Sequence, residues 1–265
     1  LEVSKDGGIT GDCTVTWLDT IQDAADYRPT VTGVNNYEGS PSEVPAFTVG
    51  KASIDDYEVA LEKDKVTYDG SAQVPKILSV KDPASELAIE SDDYDVVITD
   101  SDEQIVAEPV NAGTYTVTVT AREDTEEPEY VNNFTGSTST TFTIEPASIA
   151  DYEVVTVNPE DTTYNGEEQL PKVIVKETEA STDELVEGED FDAAYTVDGK
   201  TADEVKDAAA YTVTVTGKGN YTGTAGKTAT YTIKPYDITE AAVDFGTKGA
   251  VYTGEAIDPK ITVKL

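Results

Sequence analysis

Three acidic clusters are the first residues of this chain whose types and spacing could bind a ligand. They are Ser91–Asp95, Asp100–Glu103 and Glu187–Asp192. Calcium takes about six to eight oxygen ligands from closely spaced carboxylates and carbonyls, so loops of this kind could supply several of them. None has the spacing of an EF-hand loop, and in an acidic chain such clusters also arise as a solvated face. Calcium is therefore a secondary expectation, and no metal-ligating residue is assigned.

A short motif of Asn, an aromatic residue, any residue and Gly occurs three times, at Asn36–Gly39, Asn133–Gly136 and Asn220–Gly223. If its ring is exposed, Tyr37, Phe134 or Tyr221 could stack on a sugar while the polar neighbours bind hydroxyls. The alternative is a hairpin turn with a buried ring, which is the commoner place for a large ring. Recurrence at the same point of a repeat favours the turn, because folding constrains every copy. We call this motif the tetrapeptide, and the exposure of its rings separates the two hypotheses.

Composition excludes several classes of function. The chain has 53 Asp and Glu against 18 Lys and Arg, a formal charge of −35, so a nucleic acid or an anionic membrane surface is not an expected partner. There is no histidine and one cysteine, Cys13, which excludes Ser-His and Cys-His nucleophile pairs and any disulfide within the chain. No carboxylate pair stands in a recognisable glycosidase setting. We expect no enzyme activity, no catalytic residue and no cofactor, and no apolar run predicts insertion into a membrane.

A repeat of about 90 residues organises the chain, the size of a small domain. Its matching segments are Ala52–Val59 with Ala147–Val154; Tyr68–Gly70 with Tyr164–Gly166 and Tyr252–Gly254; and Tyr115–Thr120 with Tyr211–Thr216. The repeat predicts two complete modules, residues 51–146 and 147–235. Residues 1–50 carry only second-half motifs and residues 236–265 only first-half motifs.

The modules are predicted to be all-β. Tyr-Thr-Val-Thr-Val-Thr alternates in the manner of a strand whose Tyr and Val face the core, and glycine in Tyr-X-Gly permits a tight turn that returns the tyrosine to the core. The one helix-like stretch, Ala202–Ala210, is interpreted as a loop or a single turn. Short proline-containing linkers at Glu145–Ala147 and Lys234–Tyr236 favour tandem β-sandwich modules in an elongated rod. A Lys–Asn crosslink of the pilin type is not supported, because Asn111 of one module matches Asp207 of the other.

The order of Tyr-X-Gly, Pro-Lys, Tyr-Thr-Val-Thr-Val-Thr, Gly-Asn-Tyr-Thr-Gly and Tyr-Thr-Ile resembles the tandem bacterial Ig-like modules of the MBG type. The resemblance covers nearly the whole chain and is strongest over residues 197–226. It departs at an acidic insertion, Glu123–Glu129, and at Cys13–Asp26. It implies Ig-like sandwiches in an extracellular protein of the bacterial cell surface or cell wall, adhesin-like or secreted. The family has no catalytic residues to transfer.

The main functional expectation is a non-enzymatic stalk that presents a binding domain of its parent protein to glycans or proteins of a host or microbe. The alternative is that the modules themselves bind glycan or mucin, with calcium as a possible aid. A third hypothesis concerns assembly: the half-modules at residues 1–50 and 236–265 could pair head to tail between chains.

Overall fold

The computed structural model describes residues 13–17, 20–35, 37–126, 129–130, 132–157, 162–246 and 249–264. These residues form strands, turns and loops, with one single-turn 3-10 helix at Ser91–Asp93 among the described ranges. The chain divides into two compact units, Leu1–Glu145 and Pro146–Leu265. The predicted all-β class is confirmed.

The first unit contains fourteen strands in its described part. In chain order they are β1 (Cys13–Thr16), β2 (Asp26–Tyr27), β3 (Thr30–Gly33), β4 (Phe47–Thr48), β5 (Ala52–Ser53), β6 (Glu58–Leu61), β7 (Lys65–Thr67), β8 (Ile77–Lys81), β9 (Tyr94–Thr99), β10 (Gly113–Ala121), β11 (Thr125–Glu126), β12 (Glu129–Tyr130), β13 (Phe134–Thr135) and β14 (Ser137–Glu145).

The second unit contains ten strands in its described part. They are β15 (Ala147–Ser148), β16 (Glu153–Val157), β17 (Lys172–Lys176), β18 (Phe191–Val197), β19 (Lys200–Thr201), β20 (Ala210–Gly217), β21 (Tyr221–Thr222), β22 (Ala229–Thr232), β23 (Ala242–Asp244) and β24 (Thr262–Lys264).

Two layers of strands enclose the core of the first unit. A four-stranded sheet in the order β7-β14-β10-β9 faces the antiparallel pair β6-β8. From β10, Tyr115, Val117 and Val119 point inward with at most 6% of their surface exposed. Val80 of β8 and Ile54 lie in the same core as Val119. The predicted inward face of the alternating strand is therefore confirmed.

The second unit has the same two layers over residues 147–235, but its four-stranded sheet has β19 beside β18 as an edge strand where the first sheet has β7 beside β14. Its four-stranded sheet has the order β19-β18-β20-β22, and the facing pair is β16-β17. Tyr211, Val213 and Val215 of β20 share one core with Val175 of β17. These four side chains are at most 2% exposed. Residues 202–209 form turns and irregular structure before β20, as the sequence indicates.

A tyrosine hydroxyl makes the same backbone contact at the start of three strands, β2, β10 and β20. Tyr27, Tyr115 and Tyr211 each donate to the carbonyl oxygen four residues upstream, at 3.0, 2.7 and 2.9 Å. The acceptors of the last two are the carbonyls of Asn111 and Asp207. This explains why side chains as different as Asn and Asp occupy the same place in the repeat: the contact uses the backbone.

The Tyr-X-Gly motif forms the predicted turn, with positive φ at Gly70, Gly166 and Gly254. The expectation that its tyrosine returns to the core is correct only in part. Tyr68 packs against the core of the first unit. Tyr164 is 39% exposed, and Tyr252 is 88% exposed. Tyr252 differs because the described residues of 236–264 provide a single strand pair, β23-β24, and no second layer to cover it.

Candidate functional site

The tetrapeptide connects two paired antiparallel strands in two copies, β10 with β14 and β20 with β22, and it follows β3 in the third copy. It closes the same loop in all three copies. The amide of Gly33, Ala121 or Gly217 donates to the carbonyl of the motif's glycine at 2.8, 3.0 and 2.9 Å. Those acceptor glycines have φ of +88°, +91° and +83°. A residue with a side chain rarely adopts this conformation, so the motif requires glycine at its last position.

The backbone of the tetrapeptide also forms a short parallel strand, which a hairpin turn alone does not require. In the first unit β13 pairs with β5, and in the second β21 pairs with β15. The amides of Ile54 and Ile149 donate to the carbonyls of Thr135 and Thr222 at 2.9 and 3.0 Å. These two copies thus join the first strand of the 52–145 segment and of the 147–235 segment to the last third of the same segment.

The three rings of the motif differ in exposure. Phe134 is 9% exposed and meets Tyr57 edge to face at a centroid distance of 6.3 Å. Tyr221 is half-buried and meets Tyr152 in the same way at 6.2 Å. Tyr37 is 48% exposed. The buried-ring prediction is confirmed at Phe134, and only Tyr37 and part of Tyr221 offer a ring face to solvent.

Asn132, one residue before the tetrapeptide, holds the loop in the first unit. It is 1% exposed, and its side-chain amide donates to the carbonyls of Asp93 at 2.7 Å and Arg122 at 3.0 Å. Its side-chain oxygen accepts from the amide of Phe134 at 3.0 Å. A buried amide with both donors and its acceptor satisfied is a strong local constraint. The repeat does not predict this role, because the residue at this position varies: one other copy also has an asparagine, Asn35, but the third has Gly219.

Asn133, the first residue of the tetrapeptide, reaches out of its own module. Its side-chain oxygen accepts from the amide of Ala24 at 2.6 Å, and its side-chain nitrogen donates to a carboxylate oxygen of Asp23 at 3.0 Å. Both partners belong to the segment predicted to be a separate half-module, residues 1–50. Asn133 therefore acts as a tie between two consecutive parts of the chain, and we refer to these two contacts as the Asn133 junction.

The acidic clusters are engaged in turns and ion pairs. Asp95 pairs with Arg122 at 2.8 Å, and Asp192 pairs with Lys218 at 3.0 Å. One carboxylate oxygen of Asp100 accepts the amides of Asp102 and Gln104, each at 2.9 Å. In the part of the chain that the structure describes, no three metal-ligating side chains come together.

Two carboxylates near the tetrapeptide have lowered pKa values. The pKa of Asp124 falls because the Lys51 ammonium donates to it at 2.7 Å and the Asn132 amide adds a second hydrogen bond. The pKa of Asp55 falls because the Ser137 amide, and then Ser53, donates to it. In both cases the hydrogen bonds stabilise the charged form of the carboxylate.

One open cleft of about 660 Å³ combines aromatic and amide groups. Its lining consists of Tyr164, Asn165, Ala208, Pro235, Tyr236 and Ile238. Tyr236 is 51% and Ile238 is 61% exposed. Tyrosine faces beside an amide suit the ring and hydroxyls of a sugar.

These features define a class of protein before a family: an all-β module whose repeated motif closes its own loop and, at Asn133, contacts the preceding part of the chain. Residues 55–146 match the model of the MBG domain, a domain found in bacterial surface proteins. No curated protein matches the chain significantly. Within the described residues, no helix has the length and apolar character needed to cross a membrane.

Proposed function

We propose that this chain is a stalk or spacer region of a bacterial cell-surface or secreted protein, built from consecutive Ig-like MBG modules. Residues 147–235 would be a second such module. The stalk presents a binding domain of the parent protein to glycans or proteins outside the cell. It carries out no catalysis and needs no cofactor.

The Asn133 junction is the observation that carries this proposal. A spacer that holds a binding domain away from a surface needs specific contacts between successive modules, since flexible linkers alone leave domains free to move. Here the tetrapeptide contributes its backbone to its own module and its Asn133 side chain to Asp23 and Ala24. The chain also continues without a spacer, because β4 ends at Thr48 and β5 starts at Ala52.

The burial of Phe134 supports the same proposal. A sugar-stacking site repeated along the chain would keep an equivalent ring exposed in each copy. Instead the ring is removed from solvent at Phe134 and partly removed at Tyr221. The motif is thus better suited to folding than to recognition.

Deletion of residues 147–235 tests the stalk directly. The deletion joins Pro146 to Tyr236, a junction that reproduces the natural Pro235–Tyr236 step. Each module should add about 30 Å, the length of nine strand residues at about 3.3 Å each. Small-angle scattering should therefore show a maximum dimension about 30 Å shorter, and an unchanged dimension would overturn the proposal.

Glycan or mucin binding by the modules is the second candidate, favoured by the exposed ring of Tyr37 and by the cleft at Tyr164 and Tyr236. A glycan and mucin array should be run with and without calcium on the chain and on the variants Tyr37→Ala and Tyr164→Ala. Binding lost in either variant would establish a receptor role. Absence of binding from all three proteins would exclude this candidate and leave the stalk.

A further inference from the structure

The Tyr-X-Gly turn of the second unit contains the one Asn-Gly step of the chain, Asn165-Gly166. Both residues are exposed to solvent. The backbone nitrogen after an asparagine can close a five-membered ring onto the side-chain amide carbon, and a side chain on that next residue hinders the approach. Every other asparagine of the chain precedes a residue with a side chain, so this step has the least hindered nitrogen.

The turn folds the Asn165 side chain back along the following backbone. Its side-chain oxygen accepts from the Glu167 amide at 2.8 Å, which closes a ring that contains the Gly166 nitrogen. This hydrogen bond polarises the side-chain carbonyl. It also provides a donor to the oxygen on which negative charge develops when a nucleophile adds to the carbonyl carbon. The turn therefore activates the group that the nitrogen must attack.

The Gly166 amide is accessible as the attacking group. It donates to no backbone carbonyl among the described residues. Gly166 has a φ of +84°, and a Cβ built on it would come within 4.0 Å of a single atom, the Tyr164 hydroxyl oxygen. This open space allows the nitrogen to move toward the Asn165 carbonyl carbon.

The first unit shows that the turn accepts an aspartate at this place. Asp69 occupies the position of Asn165, and its carboxylate oxygen accepts from the Ser71 amide at 2.8 Å. The glycine that follows keeps the same conformation, with a φ of +79° at Gly70. Conversion of Asn165 to aspartate would therefore preserve the contact that closes the turn.

We propose that Asn165 is a site of spontaneous deamidation in the folded protein. A bond forms between the Gly166 nitrogen and the side-chain carbonyl carbon of Asn165. The bond from that carbon to the side-chain nitrogen breaks, and the side-chain NH2 leaves with the Gly166 proton as ammonia. Water then opens the succinimide: its hydroxyl adds to one of the two ring carbonyl carbons, and its proton returns to the Gly166 nitrogen. The products are aspartate and isoaspartate.

The two products affect the molecule differently. Isoaspartate carries the main chain through the former side-chain carbonyl and lengthens the backbone by one carbon. This change should weaken the hydrogen bond from the Gln169 amide to the Val205 carbonyl, 2.8 Å long, which attaches this turn to the loop before β20. Both products also remove the Asn165 amide donors from the cleft beside Tyr164. The inference goes beyond the stalk function and does not depend on it.

Peptide mapping of the whole chain during incubation near neutral pH tests the proposal. Asn165 should exchange its NH2 for OH at least about tenfold faster than Asn111, which is also exposed but precedes Ala112. Electron-transfer fragmentation should show isoaspartate as well as aspartate at Asn165. The rate should rise with pH, because the attacking nitrogen must lose its proton.

Two variants and one condition complete the test. Asn165→Gln is the matched control, because its longer side chain would need a six-membered ring and should stay unmodified. Asn165→Asp should unfold with the same free energy as the fresh protein, whereas aged protein should exchange faster at the Gln169 amide. Equal rates at Asn165 and Asn111, or a slower reaction in the folded chain than in urea, would overturn the proposal. Aspartate without isoaspartate would refute attack by the Gly166 nitrogen.

Discussion

Replacing the ring of Phe134 with a methyl group should destabilise the first unit strongly. Phe134 is 9% exposed and packs in one core with Ile54, Tyr57 and Val80. Burial and cavity terms place Phe→Ala in a core at about 3–5 kcal/mol. The edge-to-face contact with Tyr57 at 6.3 Å contributes about 0.5–1.5 kcal/mol of pair energy beyond its burial. We expect a total near the middle of the Phe→Ala range, about 4 kcal/mol, because the residue lies on a two-residue strand where the loop can relax.

The control is the same truncation at the equivalent exposed ring. Tyr37 is 48% exposed, so Tyr37→Ala should cost about 1 kcal/mol or less in the free energy of unfolding. Phe134→Leu keeps most of the buried volume and should cost less than about 1.5 kcal/mol. Urea unfolding followed by far-UV circular dichroism gives the free energies. Hydrogen exchange should show faster exchange at the Ile54 amide, which bonds to the Thr135 carbonyl.

The outcome that would refute this reasoning is a similar small loss for Phe134→Ala and Tyr37→Ala. It would mean that the ring at the tetrapeptide does not support the fold. A loss of sugar binding in Phe134→Ala with unchanged stability would refute the structural role even more directly.

Four further perturbations follow from individual contacts. A left-handed alanine costs about 1–2 kcal/mol. Gly136→Ala should destabilise the first unit by more than this, because the added Cβ would lie 2.3 Å from a carboxylate oxygen of Asp55. Gly70→Ala, which has open space around it, should show the backbone cost alone in urea unfolding. The pKa of Asp55 is lowered in the folded protein, so its carboxylate contributes stability above its ordinary pKa of about 3.8. This stability is lost as the pH falls through the lower folded pKa. Asp55→Asn should therefore reduce the slope of unfolding free energy against pH on the acid side, and an unchanged slope would contradict this. Tyr211→Phe should cost about 0.5–1.5 kcal/mol through loss of the hydroxyl's bond to the upstream carbonyl, and a neutral effect in thermal unfolding would show that the bond is not needed. Asn133→Ala should speed hydrogen exchange at the Ala24 amide without affecting the Ile54 amide, and equal changes at both would deny a specific junction.

Much of each module could be predicted from local sequence. Alternation in Tyr115–Thr120 determines which side chains enter the core, because successive strand residues point to opposite faces. Positive φ at Gly70 and Gly166 follows from a tight turn that only glycine adopts easily. These features depend on neighbours in the sequence and therefore recur with the repeat.

Contacts between distant residues were not predictable. The parallel pairing of Phe134 with Ala52 joins residues far apart in the chain, and no local pattern encodes it. The Asn133 junction depends on Asp23, which lies in Cys13–Asp26, a segment that departs from the repeat. The exposure of Tyr252 depends on which strands cover it, so the same motif gives a half-buried tyrosine at Tyr68 and an exposed one at Tyr252.

The parallel pairing of the tetrapeptide with the first strand has a mechanical consequence. If the chain is pulled at its two ends, Ala52 is drawn in one direction along its strand, and Thr135, through the adjoining β14, is drawn in the other. The hydrogen bonds from Ala52 to the Asn133 carbonyl and from Ile54 to the Thr135 carbonyl lie across that pull and are loaded together in shear. The pair β14-β7, also parallel, closes the same module at its other end. A surface protein exposed to fluid flow would bear tension through bonds that must break simultaneously, not one after another.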